Sequence, residues 1–197
     1  SAASDVYKRQ EPTEGEIYVD GEIGYMFQRD HLFNWRTVWK NIMLGLEIKK
    51  EKNQENIDKT KELLTKYGLI DFINSYPQEL SGGMRQRIAL IRTLATNPQV
   101  LLLDEPFSAL DYQTRINVSE DIFKMIKDSN VSAILVTHDI SEAIAMADRV
   151  IVLSHRPAKL KKIIDIKTDS PDNTPFNKRL SSEFRKYFDE IWGLLNE

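Results

Sequence analysis

The sequence predicts an α/β fold in which helices pack against a mostly parallel sheet. Three apolar runs support this prediction: Val100 to Leu103, Ser132 to Thr137 and Arg149 to Ser154. Helical patterns separate these runs, at about Gln113 to Lys127 and at Ile140 to Ala147. Strands that alternate with helices form βαβ units, and the strands of such units pair in parallel.

Size and composition limit the kinds of protein that this sequence can encode. The 197 residues, 41% of them apolar, suffice for one domain with a sizeable core. The 27 basic and 30 acidic residues are well mixed, so no overall field favours nucleic acid. There are no cysteines, which excludes disulfides, thiolate zinc sites and cysteine nucleophiles. No run approaches the roughly 18 to 20 apolar residues of a membrane span, so we expect any membrane association to run through a partner.

The N-terminal part begins with SAASDVYKRQ, residues 1–10, which are small, polar and charged. We interpret them as a leader foreign to the fold and expect it to be disordered. From Glu16 onward EIYVD, the pair Asp20-Gly21 and EIGYMFQ predict a β-hairpin whose second strand ends at Gln28. An aromatic-rich segment follows, and then a charged helix that stops at Gly68.

The segment LSGG opens a long helix after Pro77, and Asn97-Pro98 ends it. The continuous apolar run after Val100 predicts a strand buried on both faces. Two further strands, RVIVLS and KLKKIIDI, precede a charged helix from about Pro175. We expect a domain over 11–197, with a helical lobe at about 35–98 and the C-terminal helix at about 175–195.

Polar side chains end two of the predicted strands. Asp104 and Glu105 follow one apolar run, and His138 follows the next. Ligands of parallel sheets sit at the carboxyl ends of the strands. A strand-end Asp there can hold Mg²⁺ beside a nucleotide, and a neighbouring carboxylate can activate water. The alternatives are a helix cap or a solvated turn for the carboxylates and a structural role for His138.

A second candidate site is the tripeptide Ser81-Gly82-Gly83, which precedes the long helix. Glycines let a phosphate approach the backbone N–H groups at the positive end of a helix. Taken alone, the tripeptide is equally typical of an ordinary turn.

Taken together, these segments resemble the ATP-binding subunits of ABC transporters. The matching text is LSGGMRQRIALIRTLATNPQVLLLDEPFSALD from Leu80 to Asp111, then Thr137-His138, then ISEAIAMADRVIVLS, and the likeness extends from about Glu11 to the C-terminus. The resemblance implies a P-loop NTPase-like fold (ABC ATPase) with a small helical lobe. It also implies ATP and Mg²⁺ as ligands and ATP hydrolysis as the reaction.

The resemblance assigns roles at the strand ends. Gln28 would be the glutamine that contacts the metal and senses the membrane partner. Asp104 would be the Walker B metal ligand, directly or through water, and Glu105 would be the catalytic base. His138 would be the switch histidine that touches the γ-phosphate of ATP.

The resemblance also assigns residues to a dimer, because such subunits pair head to tail. Ser81, Gly82 and Gly83 would form the signature loop, which grips the γ-phosphate of ATP held by the opposite subunit. Asp111 would be the D-loop acid that communicates across the dimer.

One motif of the family is missing from the 197 residues: none of the eight glycines is followed by Lys-Ser or Lys-Thr, as G-x-x-x-x-G-K-[ST] requires. We therefore expect a fold without its N-terminal strand and P-loop, and a polypeptide that binds ATP poorly and does not hydrolyse it unaided. A truncated copy of an active ATPase is the favoured explanation, because Glu105 and His138 remain. The alternative is a non-catalytic subunit or interaction module that lends its signature loop to a partner's ATP.

The text FQRDHLFNWRTVWKNIMLGLE resembles the nitrate, sulfonate and taurine branch of importers, which predicts a small anionic solute. The implied partners are a membrane permease, indirectly an extracytoplasmic solute-binding protein, and a second ATPase subunit. Phe33, Trp35 and Trp39 would border the groove for a permease helix, or else pack within the helical lobe. The implied location is the cytoplasmic face of the cell membrane, peripheral and held by the permease.

Other classes with the same motifs fit less well. ABC-type ATPases of DNA repair carry long coiled-coil insertions, and the spacing between Gln28 and Leu80 leaves room only for a small lobe. Translation factors with two ATPase domains in tandem need a longer chain. We therefore expect no nucleic-acid partner.

Overall fold

A computed structural model describes residues 14–170 and 172–196. The chain divides into two compact units, with the boundary between Val136 and Thr137. The predicted leader, residues 1–10, lies outside the described residues.

In the part of the first unit that the structure describes, three parallel strands form a sheet in the order β1-β2-β3. They are β1 (Ile23–Met26), β2 (Val100–Asp104) and β3 (Ser132–Val136). β2 pairs with both neighbours, so the carboxyl ends of all three strands lie at one edge of the sheet. The predicted parallel sheet is confirmed, and it places the residues that follow β1 and β2 side by side.

The predicted hairpin around Asp20-Gly21 is wrong. β1 begins only at Ile23 and pairs in parallel with β2, not with residues 16–20. The carbonyl of Glu22 accepts hydrogen bonds from the N–H groups of Gln99 (2.9 Å) and Val100 (3.2 Å). The chain after the glycine is therefore already paired with the start of β2, which local alternation of apolar residues could not reveal.

Burial differs between the strands of this sheet. In β2, Leu101 and Leu103 are buried, whereas Val100 and Leu102 are only half-buried, so the predicted burial on both faces is incomplete. β3 is more open, with Ile134 56% exposed.

Five helices lie in the described residues of the first unit, 14–136. They are α1 (Val38–Ile42), α2 (Leu44–Lys49), α3 (Gln54–Lys66), α4 (Gly82–Leu94) and α5 (Tyr112–Asp128). Short 3-10 helices at 70–72 and 77–79 lie between α3 and α4. α4 packs against α1, α5 and β1, and it buries Ile88, Leu90 and Ile91 completely. This helix therefore connects the helical segment to the sheet.

The contact between α4 and β1 depends on Gly24. A Cβ at this position would lie 2.7 Å from Cγ2 of Thr93 and 2.9 Å from Cγ of Pro98. Both distances are shorter than a van der Waals contact, so β1 can lie this close to the end of α4 only with a glycine. Gln28, two residues after β1, thereby comes beside α4.

The described residues of the second unit form a two-stranded antiparallel sheet and three helices: α6 (Ile140–Met146), β4 (Arg149–Leu153), β5 (Leu160–Asp165), α7 (Pro175–Leu180) and α8 (Ser182–Asn196). Its core is formed by Ile144, Val150, Val152, Ile164, Ile166 and Ile191. The helix expected from about Pro175 is divided in two at Ser181, which has extended backbone dihedrals. No helix in the described part of the chain is both long and apolar enough to cross a membrane.

Candidate functional site

Asp104 is the last residue of β2 and is 3% exposed. Its Oδ2 accepts a hydrogen bond from the hydroxyl of Tyr25 on β1 (3.1 Å). A buried carboxylate is stable only when its oxygens are hydrogen-bonded. The tyrosine of the neighbouring strand therefore helps to fix the orientation of this carboxylate at the sheet edge.

Glu105 has a backbone conformation that is rare for residues other than glycine, with φ at 46°. Its N–H donates to the carbonyl of Val136 (2.8 Å), which continues the pairing of β2 with β3 by one residue. Its carbonyl accepts from both the N–H (3.2 Å) and the hydroxyl (3.0 Å) of Ser108. Such left-handed residues cost free energy and persist where the surroundings hold them, often at functional sites.

The side chain of Gln28 reaches this turn from the segment after β1. Its Nε2 donates to Oε2 of Glu105 (3.2 Å) and to Oγ of Ser108 (3.1 Å). These partners lie 77 and 80 positions further along the chain. The structure thus brings Gln28 and Glu105, two of the residues predicted from the sequence, into direct contact, and Ser108 contacts both.

The segment that carries Gln28 is itself held by α4. Arg85 contacts the carboxylate of Asp30 through Nε (3.1 Å). Arg92 donates from Nη2 to the carbonyl of Asp30 (2.7 Å) and from Nη1 to that of His31 (2.8 Å). Burial lowers the pKa of Arg92 from its ordinary value, and Asp30 opposes this shift. Two arginines of the helix that follows LSGG therefore position the glutamine.

Ser81 is the exposed N-cap of α4, and its Oγ accepts from the N–H of Met84 (3.2 Å). Gly83 is buried, and a Cβ there would lie 2.8 Å from Cγ2 of Val118 on α5. Packing of α4 on α5 is therefore a sufficient reason for Gly83. At Gly82 the corresponding contact is looser, 3.2 Å from Cδ2 of Leu110. Ser81 and the first N–H groups of the helix remain the part that could face an anion.

Asp111 is the exposed N-cap of α5. Its Oδ1 accepts from the N–H of Thr114 (3.0 Å), and hydrogen bonding by Thr114 holds the pKa of the carboxyl below its ordinary value. The contacts of Asp111 in the structure are thus those of a helix cap.

His138 lies at the start of the second unit, in the exposed turn between β3 and α6. The residues around it are hydrogen-bonded to one another. Oγ1 of Thr137 donates to Oε2 of Glu142 (2.6 Å) and accepts from the N–H of Asp139 (3.0 Å). Oδ1 of Asp139 accepts from the N–H groups of Ser141 (2.8 Å) and Glu142 (3.2 Å).

Sequence reasoning missed Tyr25, Ser108 and Glu142, all of which contact candidate residues or their turns. No pattern in the amino-acid sequence indicates a role for Tyr25, because its role depends on the pairing of β1 with β2. For Glu142 a signal was present: an Asp followed three residues later by Glu is a typical helix start.

A metal ion would find only part of a coordination shell in the described residues. No group of three or more His, Asp or Glu side chains is placed there to hold one. Asp104 offers a carboxylate, and Gln28 offers Oε1, since its Nε2 donates to Glu105 and Ser108. Oxygen ligands of this kind suit Mg²⁺, which ordinarily completes its shell with water and phosphate oxygens. The residues therefore fit Mg²⁺ together with a nucleotide.

Comparison with known proteins identifies the family to which the chain is related. Residues 4–108 match the model of the ABC transporter family. The chain is 44% identical over 194 residues to the uncharacterized ABC transporter ATP-binding protein YtlC of Bacillus subtilis, covering 94% of this chain and 75% of the relative.

Two further relatives carry functional names. The nitrate import ATP-binding protein NrtD of Synechocystis is 41% identical over 196 residues, with 93% of this chain and 74% of the relative covered. The aliphatic sulfonates import ATP-binding protein SsuB of Bacillus cereus is 41% identical over 181 residues, with 88% and 70% covered.

The fold is also that of a solved family member. CbiO1 from Clostridium perfringens, part of the ABC transporter complex CbiONQ, superimposes with a TM-score of 0.63 at 26% identity, covering 74% of this chain and 58% of that one. The predicted ABC ATPase fold is confirmed, and so is the resemblance to ATP-binding subunits. The chain therefore belongs to the ABC transporter family, among its ATP-binding proteins.

Proposed function

We propose that this chain contributes the hydrolysis site of an ABC importer ATPase, with Glu105 as general base. The observation that carries the proposal is the contact between Nε2 of Gln28 and Oε2 of Glu105 (3.2 Å). It places a carboxylate and an amide from distant parts of the chain at the carboxyl end of β2. Parallel sheets bind their ligands at this edge.

The proposed reaction is the attack of water on the γ-phosphate of ATP, which gives ADP and phosphate. Glu105 orients the water and accepts its proton, while Gln28 keeps the carboxylate in place. His138 is proposed to contact the γ-phosphate and stabilise the charge that develops on it.

Asp104 and Oε1 of Gln28 are the groups that we propose to hold Mg²⁺. When bound, the ion neutralises negative charge on the phosphates and on the transition state. The contribution of this chain is the orientation of Asp104, which depends on the hydroxyl of Tyr25 (3.1 Å).

The signature loop is proposed to act on a second subunit. Ser81 is exposed at the N-terminus of a 13-residue helix, where backbone N–H groups and the helix dipole favour a phosphate. We propose that Ser81, Gly82 and Gly83 grip ATP of the opposite subunit in a head-to-tail dimer. Asp111, exposed at the start of α5, is proposed to contact the partner subunit.

A polypeptide of these 197 residues alone should bind ATP weakly, because its sequence holds no G-x-x-x-x-G-K-[ST] run to cradle the phosphates. We expect calorimetry to find no dissociation constant below about 1 mM, that is, less than about 4 kcal/mol of binding free energy. Micromolar binding with hydrolysis that Glu105→Gln abolishes would contradict this expectation. Weak binding by the polypeptide, combined with stimulation of a partner that needs Ser81, would favour the alternative of a subunit that only lends its signature loop.

The proposed solute is a small anion such as nitrate, a sulfonate or taurine. Relatives named for nitrate import and for aliphatic sulfonate import, each 41% identical, support this choice. We propose that an extracytoplasmic binding protein delivers the solute to a permease. The ATPase is then peripheral, held by the permease at the cytoplasmic face of the membrane.

Trp35 is the residue best placed to contact the permease. Its side chain is 74% exposed, which favours a contact with a partner over packing within the lobe for this residue. The loop that carries it is fixed by the buried Asn41, whose Oδ1 accepts from the N–H of Phe33 (2.7 Å) and whose Nδ2 donates to the carbonyls of Phe33 (3.1 Å) and Arg36 (3.0 Å). A preorganised, exposed tryptophan is typical of an interface anchor. Trp39 is half-buried and fits the packing alternative better.

Solute uptake in cells that lack the gene tests this function. We expect nitrate, sulfonate or taurine uptake to be lost, restored by the wild-type gene and not restored by Glu105→Gln. Normal uptake of all three anions in the deletion strain would contradict the proposed solute class.

The permease contact is tested by Trp35→Ala, with Trp192→Ala as a matched control at another exposed tryptophan (58%). We expect uptake to fall about tenfold or more with Trp35→Ala, because interface anchors dominate binding. Nucleotide affinity and folding should remain unchanged. Loss of folding, or equal effects of the two variants, would contradict the contact.

A further inference from the structure

A buried carboxylate, which has no role in the proposed reaction, stabilises the turn that carries His138 by a hydrogen bond. Glu142 is 4% exposed, and its Oε2 accepts a hydrogen bond from Oγ1 of Thr137 (2.6 Å). Buried carboxylates are found where specific hydrogen bonds compensate for lost hydration. The partner here lies directly before His138 in the chain.

The residues on both sides of His138 in the chain take part in these hydrogen bonds. Thr137 precedes it, Asp139 follows it, and the N–H of Asp139 donates to Oγ1 of Thr137 (3.0 Å). In an ordinary capping box the Glu side chain accepts directly from the N–H of the cap residue. In this turn Thr137 stands between Asp139 and Glu142, so the restraint extends to the residue before the histidine.

The helix behind the turn is also fixed at its far end. Lys178 of α7 is 2% exposed, and its Nζ donates to the carbonyl of Ala147 (2.9 Å), the C-cap residue of α6. A cation at this end of a helix interacts favourably with the helix dipole. Ile144 in the same helix is fully buried in the core of the unit. The turn is thus attached to a helix that is itself held in place.

We propose that Glu142, acting through Thr137, is a positioning residue for His138. It fixes the backbone on both sides of the histidine, so that the exposed imidazole projects from a rigid base. This inference rests on the proposed function, in which His138 contacts the γ-phosphate. Without the hydrogen bond between Thr137 and Glu142, the imidazole spends less time in the position that contacts the γ-phosphate, and kcat falls. KM stays unchanged because the groups that bind ATP are unaffected.

The test compares four variants in the transporter complex purified from the organism that encodes the chain. Glu142→Ala removes the acceptor, Glu142→Gln keeps an acceptor oxygen, and Thr137→Val removes the hydroxyl at nearly constant shape. Ser141→Ala is the matched control in the same helical turn. Four quantities are measured: kcat for ATP hydrolysis, KM for ATP, amide hydrogen exchange over 139–142, and the ring resonances of His138.

We expect Glu142→Ala to lower kcat about tenfold with KM within about threefold, the pattern of a lost transition-state interaction. Amide exchange over 139–142 should rise about tenfold, as expected when a local structure opens more easily. The His138 resonances should shift. Glu142→Gln should stay within about threefold of wild type because its amide oxygen accepts the same bond. Thr137→Val should change kcat, amide exchange and the His138 resonances as expected for Glu142→Ala. If Glu142→Ala does not fold, Thr137→Val alone provides the test.

Two results would overturn the proposal. One is unchanged exchange and unchanged His138 resonances in Glu142→Ala and Thr137→Val. The other is a loosened turn with wild-type kcat. Absence of ATP hydrolysis in the wild-type complex would overturn the proposed function as well. Normal hydrolysis by the wild type, with normal kcat in Glu142→Ala and Thr137→Val, would overturn the positioning role alone.

Discussion

Two turns follow neighbouring parallel strands in this chain, and they are held in different ways. The turn after β2, residues 105–111, is fixed by partners far away in sequence, chiefly Gln28 at 77 and 80 positions. The turn after β3, residues 137–139, is fixed by side chains no more than five positions away, namely Thr137 and Glu142. The contacts of the turn after β2 form only once the sheet has formed, whereas those of the turn after β3 involve a short local stretch of sequence.

Both turns end in an aspartate that caps the next helix, which makes them a matched pair. Asp111 caps α5 with one backbone N–H, and Asp139 caps α6 with two. Changes to the long-range partner should therefore affect the first turn alone. Changes within the short stretch 137–142 should affect the second alone.

The largest effect is expected from Gln28→Leu. The change removes the amide that contacts both Glu105 and Ser108, so ATP hydrolysis by the purified complex should fall about tenfold or more, as for other groups that assist proton transfer. Ser108→Ala should lower hydrolysis less, because Gln28 keeps its contact with Glu105. Amide exchange over 139–142 should stay at the wild-type rate in both variants.

Gln113→Leu is the control for this comparison, since Gln113 is exposed on α5. Wild-type hydrolysis in Gln28→Leu, or faster exchange over 139–142, would show that the two turns are not held independently.

A smaller effect is expected from the caps. Asp139→Ala removes the acceptor of two N–H groups in a half-buried turn and should lower the free energy of unfolding by about 1 kcal/mol. Asp111→Ala should cost less, because this cap is exposed whereas Asp139 is half-buried. Urea unfolding of the two variants measures the difference. An equal or larger loss for Asp111→Ala would contradict the ranking of the two caps.

The smallest effect concerns pH. The pKa of Asp111 lies below its ordinary value of 3.8 because Thr114 donates hydrogen bonds to the carboxylate. The cap therefore contributes its full stability above pH 3.8 and loses it as pH falls through the lowered pKa of the folded state. Amide exchange at Thr114 should accelerate in that acidic range. In Asp111→Asn, which has no titrating cap, the acceleration should be absent; its persistence would place the cause elsewhere.

The two turns also show what can be predicted from sequence. β2, β3, α5 and α6 have clear apolar patterns, and their positions were predicted closely. The hairpin at Asp20-Gly21 was wrong because EIYVD and EIGYMFQ each look like strands locally, while the pairing of Glu22 and Ile23 with β2 depends on the whole fold. The break at Ser181, which separates α7 from α8, was not predicted, because the helical pattern of the sequence continues on both sides of this residue.

The candidate site divides along the same line. Asp104, Glu105 and His138 were predicted from their positions at strand ends and Gln28 from a resemblance, but the direct contacts of Gln28 with Glu105 and Ser108 required the assembled sheet. Glu142 required only local reasoning, since Asp139 and Glu142 have the spacing of a helix start. Its burial, which distinguishes it from an ordinary surface cap, was visible only in the structure.

The central claim is that Glu105, held by Gln28 at the end of β2, is the base for ATP hydrolysis. ATP hydrolysis and ATP binding by the purified complex carrying Glu105→Gln test it most directly. The account predicts that hydrolysis falls by about 100-fold or more, the range of a lost general base, with ATP affinity within about threefold of wild type. Hydrolysis at the wild-type rate would show that the base lies elsewhere and that the contact between Gln28 and Glu105 serves only the fold.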